Sequence, residues 1–381
     1  LVADAGGILA TGAHLKNTVA LTAAGGVVLS QHIGDLDTAE SRAAFVHTAS
    51  KLQALYDAHP SAVACDLHPD YYSTQYARSL GLPVIAVQHH HAHLLACLAE
   101  NDLRGPALGV VWDGTGLGPD GTIWGGEFLV ADVSRPGFRR AGHFRAFRLP
   151  GGDAAAREPR RSAIAILFDA LGPEAFSLRD LPTLGAFSAA ELRVLRSMLE
   201  GGVNCPVTTS AGRLFDAVAS LTGLCQRSTF EGQAAMELEF AASGPDSAPS
   251  IVKENNVDSC GPGYEYSLTT ANGYFVIDWR PTVRAILQHL HDGHCAGFIS
   301  RGFHSMLVHV IVSAARFVGL EHVVLTGGCF QNRRLTEGAV AALSAAGFVP
   351  VCHQRVPPND GGVALGQAVA ALAEQRARRD A

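Results

Sequence analysis

The sequence predicts an α/β fold of two lobes, each a mixed β-sheet covered by helices on both faces, with a ligand cleft between them. Three observations carry the prediction. Short apolar runs alternate with helical stretches in both halves of the chain; the second half repeats the order of the first; and glycines, histidines and aspartates stand where the runs end. In open α/β sheets the carboxyl ends of the strands are where ligands bind.

The elements follow in order. Residues 18–34 hold two apolar stretches about Ala23-Ala24-Gly25-Gly26, a hairpin turned at its glycines. A helical stretch leads to Ser61-Ala62-Val63-Ala64-Cys65-Asp66, a short buried strand, then to a turn at His68-Pro69-Asp70 and a helix from Tyr72 to Arg78. A strand over Pro83 to Val87 runs straight into a histidine-rich helix. Ala107 to Asp113 reads as a third strand of the same lobe and passes through Gly114-Thr115-Gly116-Leu117-Gly118 into a second hairpin reaching Val130. From Ser162 to about Phe240 the pattern is mainly helical, broken at Gly201 to Pro206. Residues 243–275, rich in Gly, Ser, Pro and Asn, predict an irregular or hairpin insertion. The earlier logic then returns: a strand over Glu321 to Thr326, a turn at Gly327-Gly328, a helix from Gln331 to Ala345, a strand over Phe348 to Cys352, and a last helix after Pro357-Pro358-Asn359-Asp360-Gly361-Gly362. The expected lobes are residues 1–140 and 141–381.

At 381 residues the chain is long enough for both lobes to bury cores of their own. A formal charge of −6 argues against a broad nucleic-acid surface, and Arg157, Arg160 and Arg161 are too short a basic strip to reverse that. The eight cysteines form no C-x-x-C pair, so neither a zinc knuckle nor a thioredoxin-like redox motif is encoded. There is no run of eighteen apolar residues and no signal-type start, so the expectation is a cytoplasmic protein that neither spans a membrane nor is secreted.

Chemistry concentrates in Val87-Gln88-His89-His90-His91-Ala92-His93. On a helix, His89 and His93 project from one face about a turn apart, the spacing of a chelating pair. A solvated polar helix start would share the spacing, but the histidines stand between core-like runs. Asp113 and Asp360 each sit at a glycine-rich turn after a strand, where a carboxylate reaches a ligand, although an Asp also caps such turns. Two imidazoles and two carboxylates would make a mixed nitrogen and oxygen site that favours iron or zinc over calcium. Gly327-Gly328, ahead of a helix, would let backbone N–H groups approach a phosphate, and a plain tight turn would read the same. Gly212 to Asp216 and Phe230 to Gln233 offer polar groups for a ribose or caps for helices, and Lys16-Asn17-Thr18 another phosphate contact.

Val87 to His93, Trp112 to Gly121 with Trp124-Gly125-Gly126-Glu127, Leu149 to Asp153, Thr326 to Asn332 and Pro357 to Gly362 closely resemble the carboxyl-terminal carbamoyltransferase module of the HypF family of [NiFe]-hydrogenase maturation factors. Lys16 to Thr18, Ser30 to Asp35 and Asp66-Leu67-His68-Pro69 resemble its earlier signatures, so the resemblance spans nearly the whole chain. It implies a two-lobed fold of the actin, Hsp70 and sugar-kinase type (ASKHA), shared with the TsaD family of tRNA-modifying enzymes. It also implies transfer of a carbamoyl group, derived from carbamoyl phosphate and ATP through carbamoyl-adenylate, to the C-terminal cysteine of HypE, with hydrolysis of carbamoyl phosphate as a side activity. Matching motifs assigns a divalent metal (iron or zinc, with Mg an option beside nucleotide) to His89, His93, Asp113 and Asp360. The same match puts nucleotide contacts around Gly327, Gly328, Asn332 and Asp216, to which the residue reading adds Lys16 as a phosphate contact. Asn359 competes with Asp360, because the related tRNA enzymes carry the two in reverse order; Asp360 is preferred because an anionic oxygen is the better ligand. His32, His68 and His304 are not separated as proton-transfer groups. The family's acylphosphatase-like domain, zinc knuckles and YrdC-like domain have no counterpart in this sequence, so formation of the adenylate has no visible site. Two other readings are a small-molecule O-carbamoyltransferase and a non-catalytic nucleotide-binding scaffold that docks HypE.

Overall fold

A computed structural model describes residues 7–23, 25–243, 263–271 and 273–380. The first sheet is built from β1 (Ile8–Ala10), β2 (Ala20–Ala23), β3 (Gly26–Leu29), β4 (Ala62–Asp66) and β5 (Val84–Val87), in the spatial order β3-β2-β1-β4-β5. The three strands of the β1–β3 meander pair antiparallel, whereas β4 and β5 join parallel to β1. The second sheet contains β6 (Ala107–Trp112), β7 (Gly126–Ala131) and β8 (Arg139–Phe144). The short ribbon of β9 (Phe147–Arg148) and β10 (Val207–Thr208) lies outside it. The hairpin of β11 (Ser267–Ala271) and β12 (Tyr274–Asp278), together with β13 (His322–Thr326) and β14 (Val349–Cys352), completes the order β11-β12-β8-β7-β6-β13-β14. From β8 to β14 this repeats the first sheet strand for strand and direction for direction.

That repeat corrects the expected lobe boundary. Residues 107–131, read as the end of the first lobe, hydrogen-bond into the second sheet as its first hairpin, so the sheets divide the chain between β5 and β6 rather than at residue 140. β6 is buried along its full length, and a continuous apolar run matches a central strand of either sheet equally well. Of the expected insertion over 243–275, the hairpin β11–β12 is present, and residues 244–262 lie outside the described residues.

Alternation along the strands distributes side chains between cores. Leu9, Leu21, Val63 and Cys65 pack on Phe45, Ala49 and Leu52 of α1 (Ala39–Leu55) and on Ala77 of α2 (Tyr72–Ser79). Their neighbours Ile8, Ala10, Ala62 and Ala64 turn the other way, into a middle core with α3 (His89–Glu100). In β6 the division falls between Leu108, Val110 and Trp112 on one face and Ala107 and Val111 on the other. The outer core of the second lobe gathers α4 (Asp153–Arg157), α5 (Pro159–Leu171), α6 (Pro182–Gly185), α7 (Ala189–Gly201), α8 (Ala211–Leu221), α9 (Gln233–Ala242), α10 (Arg280–His291), α11 (Ala296–Val318) and α12 (Arg333–Ala345). Helix α11 is long and apolar enough to cross a membrane, but it is mostly buried inside this core.

The C-terminal helix α13 (Val363–Asp380) returns to the first sheet, while α3, which leaves that sheet, packs on β6, β7 and β13 of the second. The two helices cross in the middle core, so each lobe is covered in part by the other lobe's helix. Their contact needs Gly366, where a Cβ would stand 1.8 Å from the Ala92 carbonyl oxygen. This crossing brings the start of α3 and the turn before α13 to one point in the cleft.

Candidate metal centre in the cleft

The edge strand β5 ends at Val87, which pairs with Asp66, the last residue of β4. Gln88 then caps α3, its side-chain oxygen accepting from His91 N, and this sets the helix phase with His89 as the first residue and His93 one turn on. Asp113 follows β6, and Asp360 lies in the 3₁₀ turn before α13. One ligand atom from each of His89, His93, Asp113 and Asp360 lies within 4.8 Å of all the others. His93 Nε2 is 3.0 Å from Asp113 Oδ2 and 3.5 Å from Asp360 Oδ1; His89 Nε2 is 3.7 and 3.4 Å from the same oxygens. The two Nε2 atoms are 3.2 Å apart.

These residues fit a divalent cation. Two imidazole nitrogens and two carboxylate oxygens face one another in a buried space, and among the described residues no well-aligned hydrogen bond reaches Asp113 Oδ2, close as the His93 ring lies. Burial alone would keep His89 neutral, but Asp360, Asp113 and Asp66 outweigh it and raise its pKa well above the ordinary value. Asp360 is the mirror case: burial pushes its carboxyl up, and the histidines pull it down to about 2. A cation would take over the role that protons on the imidazoles play in balancing these carboxylates. Asn359 is turned elsewhere, its oxygen accepting from Gly361 N and its amide donating to Gln331, so it is Asp360 that stands with the histidines.

Asp66 is the group that sequence reasoning noted at a strand end and left without a role. Its side chain is fully buried; Oδ2 accepts from His89 Nδ1 at 2.8 Å and Oδ1 from His68 N at 2.9 Å. A proton on Nδ1 leaves Nε2 free to coordinate, the arrangement by which carboxylates orient metal-binding histidines. The signal was the pairing register of β4 with β5, which a single apolar run does not display.

The other predicted contacts spread along the cleft. Gly327 has φ +98°, and a Cβ there would meet the Trp112 carbonyl oxygen at 2.3 Å, so the Gly327-Gly328 turn lies directly against the end of β6; a Cβ on Gly328 would stand 2.9 Å from Asp113 Oδ1. Ser210 caps α8 and also donates to the carbonyls of Asp113 and Gly114, tying that helix to the Asp113 turn. On it, Asp216 pairs with Arg213 at 3.0 Å, and burial lifts its carboxyl to about 6 against the pull of Arg213. Asn332 is already engaged: its oxygen caps α12 at Leu335 N, and its amide meets His304 Nε2 at 2.9 Å. Lys16, with φ +45°, reaches across the cleft mouth to Glu231 and feels the charges of Asp360 and Asp113. Asn17 and Thr18 are spent on the backbone carbonyls of Thr11, Ala13 and Gly361. Of the basic strip, Arg160 is buried against Glu158 and Glu191.

The family model described as "Carbamoyltransferase, Kae1-like Domain, second subdomain" matches residues 109–367, and the HypF Kae1-like domain matches residues 3–100. The chain belongs to the HypF family. The HypF carbamoyltransferase of Synechocystis is 39% identical over 378 residues, covering 96% of this chain and 47% of its own length. A HypF homolog of Cupriavidus necator is 39% identical over 375 residues, covering 95% of this chain and 90% of its own. The chain thus spans about half the length of most curated relatives it matches and nearly all of this one. Full-length HypF, crystallised in a phosphate- and nucleotide-bound form, superposes with a TM-score of 0.87 at 36% identity, over 96% of this chain and 55% of that one. HypF of T. kodakarensis gives 0.82 at 27% identity, over 97% and 48%. The two-lobed architecture with its repeated mixed sheets is therefore that of the HypF Kae1-like domain.

Proposed function

We propose that the chain is a carbamoyltransferase that moves the carbamoyl group of carbamoyl-adenylate, made from carbamoyl phosphate and ATP, to the C-terminal cysteine thiolate of HypE. The observation that carries this reading is the convergence of His89, His93, Asp113 and Asp360 from both halves of the chain on one buried point in the cleft. In the transfer, the thiolate sulfur forms a bond to the carbamoyl carbon, the carbon–oxygen bond of the mixed anhydride breaks, and AMP leaves with the electron pair. His89, His93, Asp113 and Asp360 would hold the divalent ion, iron or zinc by their donor set, which supplies neutralisation of charge developing on the phosphate.

The chain's own groups do the rest. Asp66 fixes the tautomer and orientation of His89. Lys16 offers an ammonium at the cleft mouth for the phosphate. The Gly327-Gly328 turn exposes backbone against Asp113, and Asp216 supplies a buried carboxyl for a ribose hydroxyl. The names of the relatives, all HypF carbamoyltransferases, and the nucleotide-bound HypF structure support the choice of reaction. The nucleophile comes from the partner, so none of the chain's cysteines is required.

The test mixes this chain with HypE, metal, and carbamoyl-adenylate generated in place by a separate YrdC-like protein from carbamoyl phosphate and ATP. Intact mass of HypE then reports a carbamoyl adduct. The expected result is an adduct with the wild-type chain and none with His93→Ala; equal adduct with both, or none with either, refutes the reading. Retained HypE binding by the His93→Ala chain would show that docking and catalysis are separable.

A further inference from the structure

Cys97, Glu100 and His353 form a second group, with a thiol, a carboxylate and an imidazole within 4.8 Å of one another. Such a donor set would suit a metal ion, but its atoms are already engaged. Glu100 Oε1 accepts from His353 Nδ1 at 2.5 Å, and Oε2 accepts from the backbone N–H groups of Gln354, Arg355 and Val356 at 3.3, 2.8 and 3.2 Å. With Nδ1–H given to Glu100, His353 takes the Thr326 hydroxyl on Nε2 at 2.7 Å, and the Cys97 sulfur accepts from the Asn101 amide. The Glu100 and His353 side chains are only 2% and 3% exposed. The group is a clamp, and what it holds is the loop that carries Asp360.

Glu100 is the last residue of α3, an unfavourable place for a carboxylate, because the carbonyl end of a helix is its negative end. It lies seven residues beyond His93 and eleven beyond His89, about two and three helical turns, which puts all three side chains on one stripe. The loop from His353 to Asp360 also advances seven residues and runs along that stripe the other way. His353 lies at Glu100, and Asp360 Oδ1 lies 3.5 Å from His93 Nε2. Arg355 Nη2 donates to the Glu100 carbonyl, and Asn101, which caps α3, donates to the Cys352 carbonyl and accepts from the Gln354 amide. Between the two ends, Pro357 and Pro358 have their φ angles locked, so a displacement at His353 is passed on towards Asp360. Gly327 N donates to Pro358 O at 3.0 Å and fastens the loop to the end of β13. Glu100 fastens it to the helix that bears both imidazoles.

We propose that Glu100 is a positioning residue of the metal centre: by clamping the start of the 353–360 loop onto α3, it sets Asp360 against His89 and His93. Glu100 itself touches neither ion nor substrate, and its effect reaches the centre through Asp360. This rests on the reading of His89, His93, Asp113 and Asp360 as a metal site. Ligands held in place before an ion arrives bind it more tightly than ligands that the ion must order, and a carboxylate on a loop is the one with most freedom to lose. The clamp also accounts for a buried carboxylate at the wrong end of a helix, which α3 would otherwise be better without.

The experiment measures zinc affinity of the full chain by chelator competition in a double-mutant cycle of Glu100→Ala with Asp360→Ala. Glu100→Ala alone is expected to weaken zinc about tenfold, the lower end of what a lost outer-shell partner costs. Asp360→Ala removes the carboxylate that Glu100 positions, so adding Glu100→Ala to it should change zinc affinity by less than about twofold. Glu100→Asp draws the carboxylate back by one methylene and should show a smaller loss with the same dependence on Asp360; it carries the cycle if circular dichroism shows that the alanine variant does not fold. Equal losses with and without Asp360 would mean a general disturbance of α3 and overturn the proposal, as would zinc affinity within about twofold of wild type for the Glu100 variant that carries the cycle. In both cases tight zinc binding by the wild-type chain leaves the metal centre standing. A wild-type chain that holds no zinc removes the centre and this proposal with it.

Discussion

Replacing Asp66 by Asn tests how the metal centre is built, because it changes one atom of a fully buried side chain and replaces none of the four candidate ligands. The carboxylate accepts two hydrogen bonds at once, from His89 Nδ1 at 2.8 Å and from His68 N at 2.9 Å, one on each oxygen. An amide has one oxygen. If it faces His89, its NH₂ meets the His68 N–H, donor against donor; if it flips, the same conflict falls on His89 Nδ1–H. One buried donor is orphaned either way, a cost of about 1–3 kcal/mol. In the second orientation the imidazole escapes that conflict only by moving its proton to Nε2, the tautomer that cannot coordinate. Loss of such a supporting carboxylate ordinarily lowers metal affinity about 10- to 100-fold, or about 1.4–2.8 kcal/mol. The assay is competition for zinc or ferrous iron against a chromogenic chelator, with circular dichroism to confirm the fold. Metal affinity of Asp66→Asn within about threefold of wild type would refute the argument that Asp66 sets the His89 tautomer.

The remaining predictions concern the crossing helices, the turn that carries Asp360, and the cleft mouth. Gly366→Leu places side-chain atoms where a Cβ is already 1.8 Å from the Ala92 carbonyl oxygen, so the helices must part; a loss of about 3 kcal/mol or more is expected in denaturant melts, and a stability equal to wild type would contradict the crossing. Burial pushes the Glu100 carboxyl up, but His353 Nδ1 at 2.5 Å and the backbone N–H groups of Gln354, Arg355 and Val356 more than reverse this, so its folded pKa lies below the unfolded value. Its contribution is therefore complete above the unfolded pKa, near 4.5, and disappears as pH falls through the lower folded value. Glu100→Gln should be less stable at neutral pH and lose less on acidification, and parallel pH profiles for the two proteins would count against this clamp. Lys16→Ala removes a partly exposed pair with Glu231, worth less than about 1 kcal/mol to stability; thermal melting should barely change while phosphate affinity falls severalfold, and an unchanged phosphate titration would remove Lys16 from the site.

What could be read from the chain was whatever depends on near neighbours. The four-residue spacing of His89 and His93 is a property of the helix itself, and the glycine turns beside Asp113 and Asp360 mark strand ends without reference to any partner. Family motifs then joined Asp360 to the histidines, which no spacing along the chain could do across so long a separation. The fate of β6 shows the limit. Ala107 to Trp112 is apolar throughout, as a strand buried on both faces must be, so nothing in it says which sheet receives it. Asn332 shows another: a side chain that suits a nucleotide is equally suited to cap a helix, and the cap took it.

The sequence by itself determined the α/β class and the repetition of the two halves, because these rest on local periodicity; the set of four candidate ligands came from it only through the family resemblance. Tertiary structure alone decided that the lobes exchange helices through α3 and α13, that Asp66 is hydrogen-bonded to His89, and where the sheets divide. The physical reason is that strand pairing and helix crossing are settled by burial and close packing among distant residues. Those contacts come into being only when the chain is folded.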